Sequence, residues 1–199
     1  MNDNREYRNM ELRIVPIEEG DEPSFLVEGY ASTFEPYTLM TKDGIDYKEM
    51  IQPTAFEGAD MSDVVFRVDH IGRVYARSSA GTLNLWVDEH GLAQRADLSK
   101  TQAARELYAD IEAGNYPKMS FAFTVAEDHY DKATHTRIID RVAKVFDVSP
   151  VVFPANPTTE LSVSTRDYFD GVIEMEQAER LEEERRERQK QKIKILLEV

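Results

Sequence analysis

The chain changes character near residue 166. All eight prolines lie before that point. After it comes EMEQAERLEEERRERQKQKIK, residues 174–194, with no proline, no glycine and almost no apolar periodicity. A segment polar all round cannot build a core of its own, so whatever folds must fold from the first 166 residues. Glu176 and Arg180, Glu182 and Arg186, and Glu184 and Arg188 stand four apart in the favourable order. Each such pair adds about 0.3 kcal/mol to a helix. Residues 167–199 therefore read as a charged helical extension, ending in the apolar Ile193, Ile195, Leu196 and Leu197. It is either a solvated helix or one that docks on a partner or on a second copy. Residues 10–166 read as the folded domain and residues 1–9 as a flexible N-terminus.

Composition removes several function classes. Hydrophobic residues make up 41% of the 199, enough for a core, so a wholly disordered chain is excluded. Asp and Glu number 38 against 24 Lys and Arg, a net charge of −14, which argues against a broad nucleic-acid footprint. No stretch approaches the roughly 18 apolar residues of a membrane span. The N-terminal MNDNREYRNM carries no apolar segment, so no secretory signal is read. The absence of cysteine rules out disulfide frameworks, thiol nucleophiles and thiolate-bound zinc. The chain reads as acidic, soluble and cytosolic.

The body is rich in strand patterns. Residues 25–34 and 64–68 are short β-rich runs bounded by polar residues. Residues 82–88 alternate, with Leu83, Leu85 and Val87 on one face; a turn at Asp88–Gly91 and a strand at 92–98 follow. One strong helix is predicted over about 101–113, because Ala104, Leu107, Tyr108 and Ile111 recur with helical spacing. Ser99 or Thr101 can cap its start, and Gly114 suits its end. Residues 119–126 alternate again: Met119, Phe121, Phe123 and Val125 make a bulky face, and Ser120, Ala122 and Thr124 a small one. The polar stretch 126–135 reads as a hairpin loop, and 136–148 and 148–153 as two more strands. This order predicts an α+β fold, a strand-rich and barrel-like domain with one or two packed helices.

Without cysteine, a nucleophile must come from Ser, Thr, Lys or a carboxylate. His70 follows the strand VVFRV at its exposed end, where it can project into a cleft or simply be a solvated histidine. Ser120 has small neighbours on its own face, which leaves room beside its hydroxyl; the same pattern suits a serine bonded to backbone. His90 falls in the Asp88–Gly91 turn and reads as solvated. Asp128, His129, Asp131 and His135 are metal-ligating residue types, but their spacing fits no standard zinc pattern, and no metal is assigned. No glycine-rich phosphate loop is present.

The order of short motifs resembles the prohead maturation proteases of tailed bacteriophages, a family of herpesvirus-assemblin-like serine peptidases. The elements are Gly29-Tyr30-Ala31-Ser32-Thr33-Phe34, Pro53-Thr54-Ala55-Phe56, Arg67-Val68-Asp69-His70, Asp88-Glu89-His90-Gly91-Leu92, Met119-Ser120-Phe121-Ala122-Phe123, and Asp147-Val148-Ser149 before Pro154-Ala155-Asn156-Pro157. The resemblance covers about residues 10–165. It implies Ser120 as nucleophile, His70 as general base and Asp147 as the acid that orients the histidine. The family often has Glu at the position of Asp147 and Gly at that of Ala122. Asp140 is the second choice for the acid. His135 is a third, because herpesvirus relatives use a histidine in that role. Backbone amides near Ala155 and Asn156 are the candidate oxyanion donors.

By the same resemblance, the chain is expected to be a serine endopeptidase, with no cofactor, that cleaves scaffold and capsid proteins and itself during head maturation. Its partners are the major capsid protein with its scaffolding segment, and further copies of itself, with no nucleic acid or membrane. It acts in the host cytoplasm inside the immature capsid. The competing reading is a non-catalytic scaffold or capsid-interaction protein that keeps the fold; such a protein needs neither Ser120 nor His70.

Overall fold

The computed structural model describes residues 5–14, 24–152 and 163–197. It divides into two compact units, Met1–Ser162 and Val163–Val199. In chain order the first unit contains β1 (Glu6–Ile14), β2 (Leu26–Thr33), β3 (Tyr37–Lys42), β4 (Ile45–Ile51), β5 (Val65–Arg67) and β6 (Val74–Arg77). Then come β7 (Leu83–Val87), β8 (Gly91–Asp97), α1 (Gln102–Glu112), β9 (Lys118–Asp131) and β10 (Thr136–Val151). The second unit is one helix, α2 (Val163–Leu197).

α1 forms for the reasons its sequence states. Thr101 is the N-cap, its hydroxyl accepting from the Ala104 amide at 3.1 Å. Gly114 adopts φ 81° after the last turn, and the Gly114 and Asn115 amides bond back to the Ile111 and Asp110 carbonyls. That closure satisfies carbonyls that would otherwise lack partners. Ala104, Leu107, Tyr108 and Ile111 are its buried stripe. They join a core that includes Phe66, Met119, Phe121, Phe123, Val145 and Val148. Phe121 and Phe123 stack with centroids 4.5 Å apart, so the bulky face of β9 anchors that strand in the core.

The strands pair in the order β3-β4-β10-β9-β1-β2-β8-β7, with β5 on β10 and β6 on β5. β1 is the joint between two sheets. Its Glu6–Glu11 portion pairs with β9 and its Leu12–Ile14 portion with β2. The fold is α+β, but the barrel-like expectation is overturned: the two sheets are not closed into a barrel. Closure needs one continuous stagger around the ring. Here the outer edge of β10 is divided between two parallel strands, β4 at residues 136–139 and β5 at 147–148. The path of strands ends at β3 and at β7 instead of joining them.

Other corrections are local. The stretch 126–135 is not a loop: β9 continues to Asp131 and only a tight turn separates it from β10. The two strands expected at 136–153 are one strand with several bulges. β1, β3, β4 and β6 lie where no strand was expected. β1 begins at Glu6, inside the stretch expected to be flexible. α2 begins at Val163, ahead of the composition break, and carries the Glu182–Arg186 and Glu184–Arg188 pairs at 2.6 and 3.4 Å. Arg180 Nε donates to the main-chain carbonyl of Glu176.

One glycine is dictated by close approach. The β7–β8 turn is held by Asp88, whose Oδ1 accepts from the amides of His90 and Gly91 at 2.8 and 3.1 Å. A Cβ at Gly91 would stand 1.9 Å from the Ser32 carbonyl oxygen, a backbone atom that cannot swing aside. Gly91→Ala is expected to destabilise the domain by about 3 kcal/mol, in the range of severe overpacking. A denaturant midpoint within error of wild type would contradict this contact.

Candidate active site

The structure brings three of the singled-out side chains into one chain of hydrogen bonds. His70 Nε2 lies 2.8 Å from Ser120 Oγ, and His70 Nδ1 lies 2.6 Å from Asp147 Oδ1. Ser120 is 1% exposed, Asp147 is fully buried and the His70 side chain is 17% exposed. An ionised carboxylate only accepts, so the ring must donate to it from Nδ1. That leaves the Nε2 lone pair facing the serine hydroxyl.

Strand register assembles this group. On β9, Ser120 lies opposite Ser149 of β10, and Ala122 opposite Asp147. On the other side β1 places Asn9 opposite Ser120 and Tyr7 opposite Ala122. The Tyr7 ring packs edge-on against the His70 imidazole, with centroids 4.5 Å apart. The small face of β9 is thus the floor on which the imidazole sits.

Asp147 reaches this face only because β10 is bulged. Val145 pairs with the core residue Phe123, yet Asp147 pairs with Ala122 on the opposite face. In a regular strand these two residues would share a face. The register shift between them leaves Phe146 as the extra residue and re-aims Asp147. The displaced Phe146 ring lies under the Arg5 guanidinium at 4.1 Å and near the Lys144 ammonium at 5.6 Å.

His70 sits on a turn with strained backbone. Asp69 and His70 have φ of 48° and 60°, left-handed values that Asp and His tolerate better than most side chains, and Gly72 follows at 73°. The surroundings hold the turn in place. The Asp69 amide donates to the Pro150 carbonyl at 3.1 Å, the Ile71 amide to the Val68 carbonyl at 3.0 Å, and the Val152 amide to Asp69 Oδ1 at 3.2 Å. Asp69→Ala removes the side-chain acceptor and puts a poor left-handed residue in the turn. It is expected to destabilise the domain by about 2 kcal/mol, from the lost hydrogen bond and the left-handed alanine. Asp69→Asn keeps both properties and should unfold near the wild-type denaturant midpoint. Equal losses in the two variants would contradict the role of the Asp69 side chain in holding the turn.

The carboxylate is strongly supported. Asp147 Oδ1 also accepts from Ser149 Oγ at 2.7 Å, and Oδ2 accepts from Arg67 Nη2 at 2.7 Å. Burial pushes the Asp147 carboxyl up, but His70, the Ser149 hydroxyl and Arg67 outweigh it and hold the group below the ordinary aspartate value. Asp147 is therefore ionised at neutral pH.

The alternative residues are elsewhere. Asp140 pairs with His129 at 2.6 Å, and His135 sits by the Tyr130 hydroxyl and the Tyr47 ring. Asp128 is bound to Arg137, and Asp131 caps the β9–β10 turn through Ala133 and Thr134. These groups do not converge; among the described residues no cluster of three acidic, His or Cys side chains could hold a metal. Ala155 and Asn156 lie outside the described residues. Tyr7 escaped the sequence reading, and Arg67 and Ser149 entered it only as motif positions without a role. Only Ser149 carried a signal, since it alternates with Asp147 on β10.

Comparison with known proteins agrees with the motif order. Residues 10–171 match the family model described as Caudovirus prohead serine protease. The chain is 28% identical over 157 residues to the prohead protease of Enterobacteria phage HK97. The alignment covers 77% of this chain and 65% of that relative, so the chain spans just under two thirds of the relative's length. No solved structure matches the chain. With the matched segment covering most of its length, the chain belongs to the Caudovirus prohead serine protease family.

Proposed function

We propose that the chain is a serine endopeptidase that cuts capsid and scaffolding proteins during phage head maturation, with Ser120, His70 and Asp147 as its catalytic triad. The observation that carries this reading is the continuous contact from Ser120 Oγ through both ring nitrogens of His70 to buried Asp147. A serine hydroxyl is a weak nucleophile at neutral pH until a base takes its proton. In the proposed reaction Ser120 Oγ attacks the scissile carbonyl carbon while its proton passes to His70 Nε2. The tetrahedral intermediate collapses, the C–N bond breaks and the imidazolium returns the proton to the departing amine. Water then bonds to the acyl carbon as it gives a proton to the same nitrogen, and the imidazolium passes that proton to Ser120 Oγ as the ester bond breaks and the acid leaves. Asp147 holds the ring in the required tautomer and stabilises the imidazolium without taking the proton itself.

Family membership and relatedness to a prohead protease support scaffold and capsid segments as substrates, inside the immature capsid in the host cytoplasm. The same reading takes residues 10–166 as the protease domain and 167–199 as a tail that tethers it or is cut away. Purified full-length chain is the test, incubated alone and with the capsid protein's scaffolding segment, and read by gel and intact mass. Wild type should generate fragments that Ser120→Ala and His70→Ala do not. An intact substrate with wild type, or equal cleavage by Ser120→Ala, would overturn the reading and favour a non-catalytic scaffold.

A further inference from the structure

Arg67 has no role in the relay just described, yet it is placed against the relay's acid. It ends β5, which runs parallel to β10 and pairs Val65 with Asp147. Its Nη2 donates to Asp147 Oδ2, the oxygen turned away from His70 and Ser149. The side chain is 22% exposed, and its buried Nε has no hydrogen-bond partner among the described residues. A half-buried guanidinium with an unsatisfied donor is costly. Among the described residues its close polar contact is with the carboxylate that faces the imidazole.

Resting on the peptidase reading, we propose that Arg67 is a positioning residue that acts through Asp147 and sets the pH below which the His70–Asp147 pair takes up a proton and the enzyme switches off. The argument is electrostatic. An isolated buried carboxylate beside an imidazole strongly favours protonation of the pair. A cation on the carboxylate's far side opposes that proton, whichever of the two groups holds it. Arg67 therefore keeps Nε2 free to act as a base at lower pH than Asp147 alone would allow. The guanidinium also fixes the plane of the carboxylate, so that Oδ1 faces the ring.

Among the described residues, the other groups against the pair do not supply this charge. Ser120 from β9 and Ser149 from β10 are neutral hydroxyls, and Tyr7 from β1 presents its ring edge to His70. Asp69, next to His70 in the turn, directs Oδ1 to the Val152 amide, and its negative charge would favour the proton rather than oppose it. Tyr116 lies near Asp69, its phenol pushed up by burial and then by Asp110, Asp69 and Tyr75.

The test uses the full chain and two readouts. The first is the NMR titration of the His70 ring, assigned by its loss in His70→Asn. The second is the pH dependence of the rate at which a fluorophosphonate probe modifies Ser120. Removing the charge in Arg67→Met should move both curves to higher pH by about one unit, the lower end of what an adjacent charge does. At a pH on the acid limb this is about a tenfold loss of labelling rate, shrinking as pH rises. Arg67→Lys keeps the charge and should restore most of the shift. Arg67→Gln, which is polar and neutral, should behave like Met and covers the case in which Met does not fold. A loss of labelling that is equal at every pH, with an unmoved His70 titration, would overturn the proposal and leave Arg67 a structural residue. Failure of the wild-type chain to react with the probe, with the NMR shift intact, would refute the peptidase reading while supporting the coupling through Asp147.

Discussion

On the proposed triad, Ser120→Ala should reduce kcat by about 10^6, and His70→Ala by a similar factor, because members of one relay fail together. The double variant should be no worse than either single one, since each change already removes the nucleophilic route. Asp147→Asn should cost less, about 10^4, because an amide in that place favours the wrong ring tautomer but leaves both reacting atoms present. Stability separates chemistry from unfolding. Ser120 is a small side chain bonded to His70, and losing one such bond costs about 1 kcal/mol. An inactive Ser120→Ala protein should therefore still unfold cooperatively near the wild-type midpoint. Cleavage at the wild-type rate by this variant, measured on the same scaffolding segment, would remove Ser120 from the mechanism.

Arg8→Met should be the most destabilising change on the other side of the sheet. Arg8 lies in β1, next to Tyr7, and is almost fully buried. Its Nε and Nη2 grip the two oxygens of Glu49 at 2.5 and 2.6 Å, and Nη2 also reaches Glu6 at 2.6 Å. Arg137 from β10 holds Glu6 at 2.8 and 3.0 Å, and the Tyr37 hydroxyl from β3 donates to Glu49 at 2.5 Å. Burial pushes Glu6 up, but Arg8 and Arg137 outweigh it and keep its carboxyl below the ordinary value. Burial likewise opposes the charge on Arg8, and Glu49, Tyr37 and Glu6 outweigh it, raising Arg8 well above its ordinary value.

Replacing Arg8 with an apolar side chain of similar length fills the space but leaves two buried carboxylates leaning on Arg137. Removing one partner from a buried ion pair costs about 3–5 kcal/mol, a large part of a typical domain's stability. Arg8→Lys supplies the charge without the two-pronged grip and should fall between. Arg8→Met combined with Glu49→Met should recover much of the loss.

The pH dependence has a definite sign. Because the folded Glu6 value is depressed, its contribution is complete above the unfolded value of about 4.3 and is lost as pH falls through the folded one. The Arg8→Met penalty should accordingly shrink at low pH. A penalty under 1 kcal/mol at neutral pH would contradict the network's importance. Activity should fall with stability here, since β1 also carries Tyr7 to His70.

This network also explains why β1 and β4 were illegible. β4 reads Ile45, Tyr47, Glu49, Ile51 along its inward face, and β1 turns Glu6 and Arg8 inward. A rule that seeks apolar alternation discards such segments, because their charges cancel only against strands far away in the chain. α1 and β9 were legible because their information is local: a capping threonine, a helical stripe, and large and small side chains on opposite faces. Closure into a barrel was misjudged because pairing at sheet edges is not written in any one strand. Ser120 and His70 could be singled out from their motifs. The re-aiming of Asp147 could not, since strict alternation puts it on the face of Val145, and only the bulge at Phe146 reverses that. Arg67 stood in a motif, but its role was not readable because it depends on a residue 80 positions away.

The most direct check on the central claim is a fluorophosphonate reaction followed by peptide mapping, which asks whether the Ser120 hydroxyl is activated and by what. The account predicts one adduct per chain, on the peptide containing Ser120, formed rapidly near neutral pH and almost abolished in His70→Ala. An adduct on another residue, or labelling of Ser120 that proceeds undiminished without the His70 imidazole, would contradict it.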